Sequence, residues 1–135
     1  MIEIRELEAV TPEVVAAFQR LTPQLSSSSP APTAGELAEI GASDTTVLLV
    51  AVDPEMTGEA AVRGSMTLVV FRIPTGVRAW IEDVVVDASA RGAGVGAALN
   101  RRALEIAHDR GARTVDLTSR PSREQANRLY RRIGF

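Results

Sequence analysis

Three short stretches of the chain hold residue types that can do chemistry. The first is Arg91-Gly92-Ala93-Gly94-Val95-Gly96-Ala97, set between an apolar run and a helical pattern. Glycines at 92, 94 and 96 let the main chain curl so that successive N–H groups point into one concavity. The unpaired N–H groups and dipole of a new helix add to the same positive spot. A phosphate or pyrophosphate is what such a spot holds; a tight strand-to-helix turn is the plainer reading. The second is Glu82-Asp83, which interrupts an otherwise apolar strand. Carboxylates there are costly unless paired, hydrated or used, so one could take a proton from a substrate and the other form an ion pair. Because side chains alternate along a strand, the two are expected on opposite faces of the sheet. The third is Asn127 with Tyr130, one helical turn apart. Tyr130 is the only tyrosine, and it can donate a proton or pack beside Leu129 and Ile133.

Other chemistries lack their residues. The 135 residues include no cysteine and one histidine, which removes disulfides, thiolate metal sites and multi-histidine centres and leaves little for a Ser-His-Asp triad. No metal site is expected. All 15 basic residues are arginine, so the phosphate-binding lysine of nucleotide triphosphatases is missing. Gly92-x-Gly94-x-x-Ala97 satisfies the dinucleotide fingerprint in letters. Such a loop follows the first strand of its fold and needs several βαβ units after it, whereas here it starts at residue 91 of 135. His108 falls on the helix after the loop, where a solvent-exposed role is expected.

The net charge of −2 conceals two halves of opposite sign. Up to residue 90 there are 5 arginines and 13 acids; after it, 10 arginines and 4 acids. The last third therefore suits an anion and the first part something cationic, although solvated helix faces account for most individual arginines. Nucleic acid is a poor fit, because the basic segment has one aromatic, Tyr130, before Phe135 and no helix-turn-helix or zinc pattern. No apolar run approaches the roughly 20 residues of a membrane span. The start, MIEIRELEAV, carries acids rather than a basic-then-apolar leader. A cytoplasmic location without a membrane partner is expected.

The elements that must position these groups follow from periodicity. Residues 2–7 alternate as a short strand. Thr11-Pro12-Glu13 starts a helix predicted over 12–21 on Val14, Val15, Phe18 and Leu21. Ser26 to Pro32 reads as a surface loop and 33–42 as a short helix. The continuous apolar run over 47–52 predicts a buried strand, followed by strands over 64–73 and 79–86 around the turn Pro74-Thr75-Gly76. A helix over 97–110 buries Leu99, Ala103, Ile106 and Ala107 and stops at Gly111; residues 114–117 return to strand. Ser122 and Gln125 form a capping-box pattern that opens a last helix. Strands joined by turns pair antiparallel, and a crossover helix makes its flanking strands parallel. The expected class is α/β (α+β), a mixed, mostly antiparallel sheet flanked by helices.

Arg91-Gly92-Ala93-Gly94-Val95-Gly96 resembles the Arg/Gln-x-x-Gly-x-Gly/Ala pyrophosphate loop of the GNAT superfamily of N-acetyltransferases. Asn127-Arg128-Leu129-Tyr130, ending in Gly134-Phe135, resembles that family's last helix, and Trp80-Ile81-Glu82-Asp83-Val84-Val85-Val86 its fourth strand. The resemblance is specific over 80–135 and rests on element order over 1–79. It implies one domain over 1–135 with the acyl-CoA N-acyltransferase fold, an acceptor side in 1–79 and an acetyl-CoA side in 80–135. Acetyl-CoA, as cosubstrate, is then expected where strands 79–86 and 114–117 splay apart. Its pyrophosphate would lie on the N–H groups of Gly92, Ala93, Gly94, Val95, Gly96 and Ala97, beside Arg91. Its pantetheine arm would run along Val84, Val85 and Val86 almost as an added strand, with Asn127 touching the cosubstrate. Arg101, Arg102 and Arg123 are candidates for the outer phosphate.

Acetyl transfer from a thioester to an amine needs a neutral amine, a stabilised oxyanion and a protonated or tolerated thiolate. The resemblance makes Tyr130 the general acid, a phenol of ordinary pKa, about 10, being matched to a thiolate. Glu82 is the candidate base, with a binding charge or ion pair as its alternative. Some family members that acetylate amino sugars carry a similar Ile-Glu-Asp segment on this strand. The implied function is transfer of acetyl from acetyl-CoA to a primary amine by direct attack in a ternary complex. The acceptor is a small amine, an amino sugar, or a peptide or lysine amine. A non-catalytic acyl-CoA-binding or regulatory domain of the same fold is the alternative. The family adds further strands after Gly-Phe, so the sheet is expected to lack its C-terminal strands: either the chain continues past Phe135, or a second copy, in a homodimer, covers the exposed edge.

Overall fold

Threonines open both N-terminal helices. Thr11 Oγ1 accepts from the Val14 N–H at 3.2 Å and Pro12 fills the first turn, which starts α1 (Pro12–Leu25). Thr33 and Glu36 exchange the two bonds of a capping box, at 3.1 and 2.9 Å, which starts α2 (Ala34–Ala42). The expected α1 stopped at residue 21, but the structure carries it one turn further, through Pro23. Proline in a last turn forfeits one main-chain bond, and Leu25 compensates by packing against the cluster beneath α1 and α2. That extra turn carries Thr22, Gln24 and Leu25 to the site described below.

The structure, a computed structural model, describes residues 1–117. Arg123, Asn127, Tyr130 and the helix opened by Ser122 lie outside the described residues. Five strands, β1 (Glu3–Glu6), β2 (Thr46–Val52), β3 (Val62–Ile73), β4 (Gly76–Val86) and β5 (Thr114–Leu117), pair in that spatial order. The first three pairings are antiparallel. β4 and β5 flank the crossover helix α3 (Val95–Asp109) and pair parallel, from Arg78 opposite Thr114 to Ile81 opposite Leu117. The mixed, mostly antiparallel sheet flanked by helices is thus observed. Where β4 and β5 would splay lies past Leu117, outside the described residues.

Helices on both faces explain the unbroken apolar run of β2. Val47, Leu49 and Ala51, with Met66 and Leu68, pack against Leu99 of α3, while Leu48 and Val50 meet Phe18, Leu21 and Leu37 beneath α1 and α2. Each such side chain contributes about 1.5–3 kcal/mol of burial. Gly64 on β3 sets how closely α3 approaches the sheet. A Cβ there would lie 2.8 Å from the Val85 carbonyl oxygen and 3.1 Å from Val95 Cγ1, so only glycine admits the first turn of α3 without a shift.

Candidate active site

The C-terminal half of β4 is bent by one extra residue. Thr67 of β3 faces Glu82 and Ser65 faces Val85, so Met66 alone opposes both Asp83 and Val84. Asp83 absorbs this bulge at φ 51°, the one non-glycine residue with positive φ among those described. Aspartate is among the few side chains that tolerate this region. The bulge also shifts the alternation. Ile81 packs on the α3 face and, three residues later, so does Val84, while Val85 turns to the α1–α2 face.

The consequence corrects the expectation that Glu82 and Asp83 face opposite sides. Both line one cavity of about 650 Å³ between the α1–α2 layer and the sheet, with Glu36 of α2 as a third carboxylate. Neither Glu82 nor Asp83 forms an ion pair among the described residues. Glu82 Oε1 accepts from Trp80 Nε1–H at 2.8 Å, which fixes one oxygen. Ser65 lies against the same cavity, 1% exposed, and its Oγ has no hydrogen-bond partner. The Ser26–Pro32 loop, which carried no readable signal in the sequence, supplies Ser26, Ser29, Pro30 and Pro32 to the wall.

β4 ends at Val86, and Asp87 then anchors the turn into the glycine loop. Asp87 is 7% exposed. Its Oδ1 accepts from Arg20 and from Gln24 Nε2 at 3.0 Å; its Oδ2 accepts from the Ser89 N–H at 3.0 Å, from Ser89 Oγ–H and from Arg63 at 3.4 Å. The Ser89 and Gln24 hydrogen bonds hold its carboxyl well below the usual range; burial opposes them and Arg20 adds to them. Burial lowers the Arg20 guanidinium's affinity for its proton, but bonds to Glu59 and Asp87 outweigh that and raise it. Gln24 also accepts from the Ala88 N–H at 2.8 Å. One α1 side chain therefore touches both the cavity and the start of the loop.

Beyond Asp87 the chain makes a short 3-10 turn, Ala88–Ala90, and then the loop. Gly92 and Gly94 sit at φ 86° and 81°, and Gly94 caps α3. The Ala93 N–H donates to Ala90 O at 3.3 Å and the Ala98 N–H to Gly94 O at 3.0 Å. Among the described residues nothing accepts from the N–H groups of Gly92, Gly94, Val95, Gly96 and Ala97. Those of Val95, Gly96 and Ala97 are the orphan donors of a helix start. A Cβ built on Gly92 or Gly94 would meet nothing within 4 Å. Free donors around open space fit a pyrophosphate.

The remaining residues singled out from sequence fall around this loop. Arg91, Gly92, Ala93 and Gly94 are exposed and Gly96 and Ala97 half-buried. Val95 offers only its main chain, since its side chain is 1% exposed in the core. Val84 and Val86 pack on the α3 side and Val85 on the other. Arg102 is drawn to Glu6 at 3.7 Å and Glu105 at 3.4 Å, while Arg101 is exposed, as is His108. Asn100, 0% exposed, was not anticipated. Its Nδ2 donates to Gly96 O at 2.9 Å, and its Oδ1 has no partner. Among the described residues no cluster of acids and histidine could hold a metal, and no helix is long and apolar enough to cross a membrane.

Known proteins share this chain's sequence pattern and fold. The pattern of the Acetyltransferase (GNAT) family matches residues 14–135. A probable glucosamine 6-phosphate N-acetyltransferase 2 of rice (Oryza sativa subsp. japonica) is 37% identical over 141 residues, spanning 99% of this chain and 81% of that protein. A crystal structure of a Trypanosoma brucei acetyltransferase superposes with TM-score 0.77 at 29% identity, covering 100% of this chain and 92% of its own. A structure titled as a transcriptional regulator from Bacillus halodurans C-125 superposes at 0.80 with 26% identity, covering 100% and 93%. The family's match reaches from α1 through the glycine loop to Phe135, and the chain belongs to the GNAT family of acetyltransferases.

Proposed function

We propose that the protein transfers the acetyl group of acetyl-CoA to a primary amine of the amino-sugar type, by direct attack with both substrates bound. The observation that carries this reading is the set of main-chain donors at Gly92, Gly94, Val95, Gly96 and Ala97 that have no acceptor among the described residues, next along the chain from a β4 whose Glu82 and Asp83 line a substrate-sized cavity. The name of the rice relative supports an amino sugar. In this reading the N–H groups of Gly92, Gly94, Val95, Gly96 and Ala97, with Arg91, hold the pyrophosphate; the Ala93 N–H, expected among them, is instead bonded to Ala90 O. The main chain of Val84, Val85 and Val86 carries the pantetheine arm, and Asn127 steadies it.

Acetyl-CoA supplies an activated acetyl group. Glu82 accepts the proton that the ammonium must lose before its nitrogen can attack, directly or through water. Trp80 holds Oε1 of that carboxylate, which leaves Oε2 for the amine. Main-chain N–H groups at the end of β4 polarise the thioester carbonyl. Tyr130 donates its phenolic proton to the departing thiolate and regains one from the attacking nitrogen, which must shed a second proton to become the amide, while Glu82 passes the first to solvent. The same reading places the enzyme in the cytoplasm with a second copy of the chain as its protein partner.

Calorimetric titration with acetyl-CoA, followed by a thiol-release assay over amines, tests this. Gly94→Pro, with its circular dichroism unchanged, should abolish acetyl-CoA binding; unchanged binding overturns the loop assignment. Tyr130→Phe should lose turnover and keep acetyl-CoA affinity. Tight binding with no turnover on any amine selects the alternative, a non-catalytic acyl-CoA-binding or regulatory domain.

A further inference from the structure

Gln24 meets two partners of opposite hydrogen-bonding character. Its Oε1 accepts from the Ala88 N–H at 2.8 Å, and its Nε2 donates to Asp87 Oδ1 at 3.0 Å and to Arg20 O at 3.3 Å. The Ala88 main-chain nitrogen can only donate and the Asp87 carboxylate, held ionised, can only accept, so the carboxamide has one orientation and both of its ends are used. Glutamate here would set a second negative charge against Asp87, and an apolar side chain would serve neither partner.

The two substrate sites lie on either side of these bonds. Ala88 opens the 3-10 turn that leads to Gly92, and the Ala93 N–H bonds back to Ala90 O at 3.3 Å, so the turn and the start of the glycine loop are one piece. Gln24 stands in the last turn of α1, and the chain from there onward supplies Gln24, Leu25, Ser26, Ser29, Pro30 and Pro32 to the cavity wall. A hydrogen bond of 3.0 Å between Ser26 Oγ and Ser29 Oγ ties the start of that segment to the helix end. The helix end itself is short of one main-chain bond, because Pro23 has no N–H to give. Its position is therefore set by side chains, through the packing of Leu25 and the grip of Gln24 on the turn.

We propose that Gln24 is a positioning residue that joins the two sites: it makes the 24–32 wall of the cavity follow the turn into the glycine loop, so that acetyl-CoA on the loop steadies the wall that receives the acceptor. This rests on the acetyltransferase function proposed above and adds a residue to it. Asp87 keeps its place without Gln24, because Arg20, Arg63 and Ser89 hold it as well. Support of the loop and transmission to the wall are thus separable by substitution.

Amide hydrogen exchange, read by mass spectrometry with and without saturating acetyl-CoA, tests this. In the native chain acetyl-CoA should slow exchange about three-fold or more over residues 24–29 as well as at the glycine loop. Gln24→Met keeps the length of the side chain and removes its bonds. It should bind acetyl-CoA within about five-fold of the native chain by calorimetry, keep the protection of the loop and lose that of 24–29. Gln19→Met, the same exchange at an exposed position of α1, should behave as the native chain does. Native binding without protection over 24–29 overturns the inference alone. Protection that survives in Gln24→Met, or that Gln19→Met loses equally, overturns it too. A Gln24→Met that fails to fold, or that binds acetyl-CoA more weakly than that range, makes Gln24 a structural support and overturns its positioning role. A native chain that does not bind acetyl-CoA at all overturns the function proposed above, and this inference with it.

Discussion

Arg20 and Asp87, 67 positions apart in the chain, form the ion pair that ties α1 to the residue introducing the glycine loop. Arg20 also holds Glu59 and the Val62 carbonyl, and Asp87 also holds Gln24, Arg63 and Ser89. The pair is thus the centre of a network joining α1, the start of β3 and the end of β4. Through Gln24, which lines the cavity and binds both Asp87 and the Ala88 N–H, the cavity wall and the glycine loop share one support.

Removing Asp87 should therefore cost stability first. Asp87→Ala leaves Arg20 without one of its two carboxylates and is expected to destabilise by about 3 kcal/mol, roughly 10 °C in Tm. The pH dependence has a definite sign. A carboxyl held below its ordinary range stabilises fully above the unfolded value, about 4, and that contribution fades as pH falls further toward the folded value. Wild-type Tm should drop more steeply below pH 4 than that of Asp87→Asn. Parallel acid profiles for the two would remove the network from the stability account.

Gly64 predicts a coupling between packing and cosubstrate binding. Gly64→Ala places a Cβ against the Val85 carbonyl oxygen and the Val95 side chain, and overpacking of this kind costs about 1–3 kcal/mol. Relief by moving α3 would displace the N–H groups of Val95, Gly96 and Ala97. Urea denaturation should show the loss of stability, and titration should show weaker acetyl-CoA binding. A variant as stable as wild type with the same affinity contradicts the close-approach role.

These relationships differ in how far the amino-acid pattern announces them. Local chemistry is legible: Thr11 and Thr33 as caps, the two-faced burial of β2, and the positive-φ glycines at 92 and 94 each leave a signature within a few residues. The bulge at Asp83 leaves none. Aspartate inside a valine-rich run reads as an alternating position, and only the pairing of Thr67 with Glu82 and Ser65 with Val85 reveals the extra residue. Asp87 leaves no local signature either, because its partners Arg20, Gln24 and Arg63 are distant in the chain. The last turn of α1, past the expected end at residue 21, leaves none either, since it rests on the packing of Leu25 outweighing the bond lost at Pro23.

Ser65 offers a case where stability and function should part. Its buried Oγ bonds nothing in the described structure, so Ser65→Ala removes an unsatisfied group and should leave Tm unchanged or raise it. If an acceptor hydroxyl completes that oxygen, KM for the acceptor should rise about two- to ten-fold, the worth of one neutral hydrogen bond. A lowered Tm with unaltered KM would instead make Ser65 a structural residue.

Glu82→Gln tests the proton acceptor proposed above. Glutamine keeps an oxygen for Trp80 Nε1–H, which in the native chain lies 2.8 Å from Glu82 Oε1, so the local geometry of β4 is retained while basicity is lost. Removing a positioned general base typically lowers the rate about 10²–10⁴-fold. The expected result is a fall in kcat of that order with acetyl-CoA affinity intact, because the loop donors are untouched. Asp83 shares the cavity, and the comparison with Asp83→Asn decides between them. If Asp83→Asn loses kcat and Glu82→Gln only raises KM, the base is the residue at the bulge, and Glu82 is a binding charge held in place by Trp80.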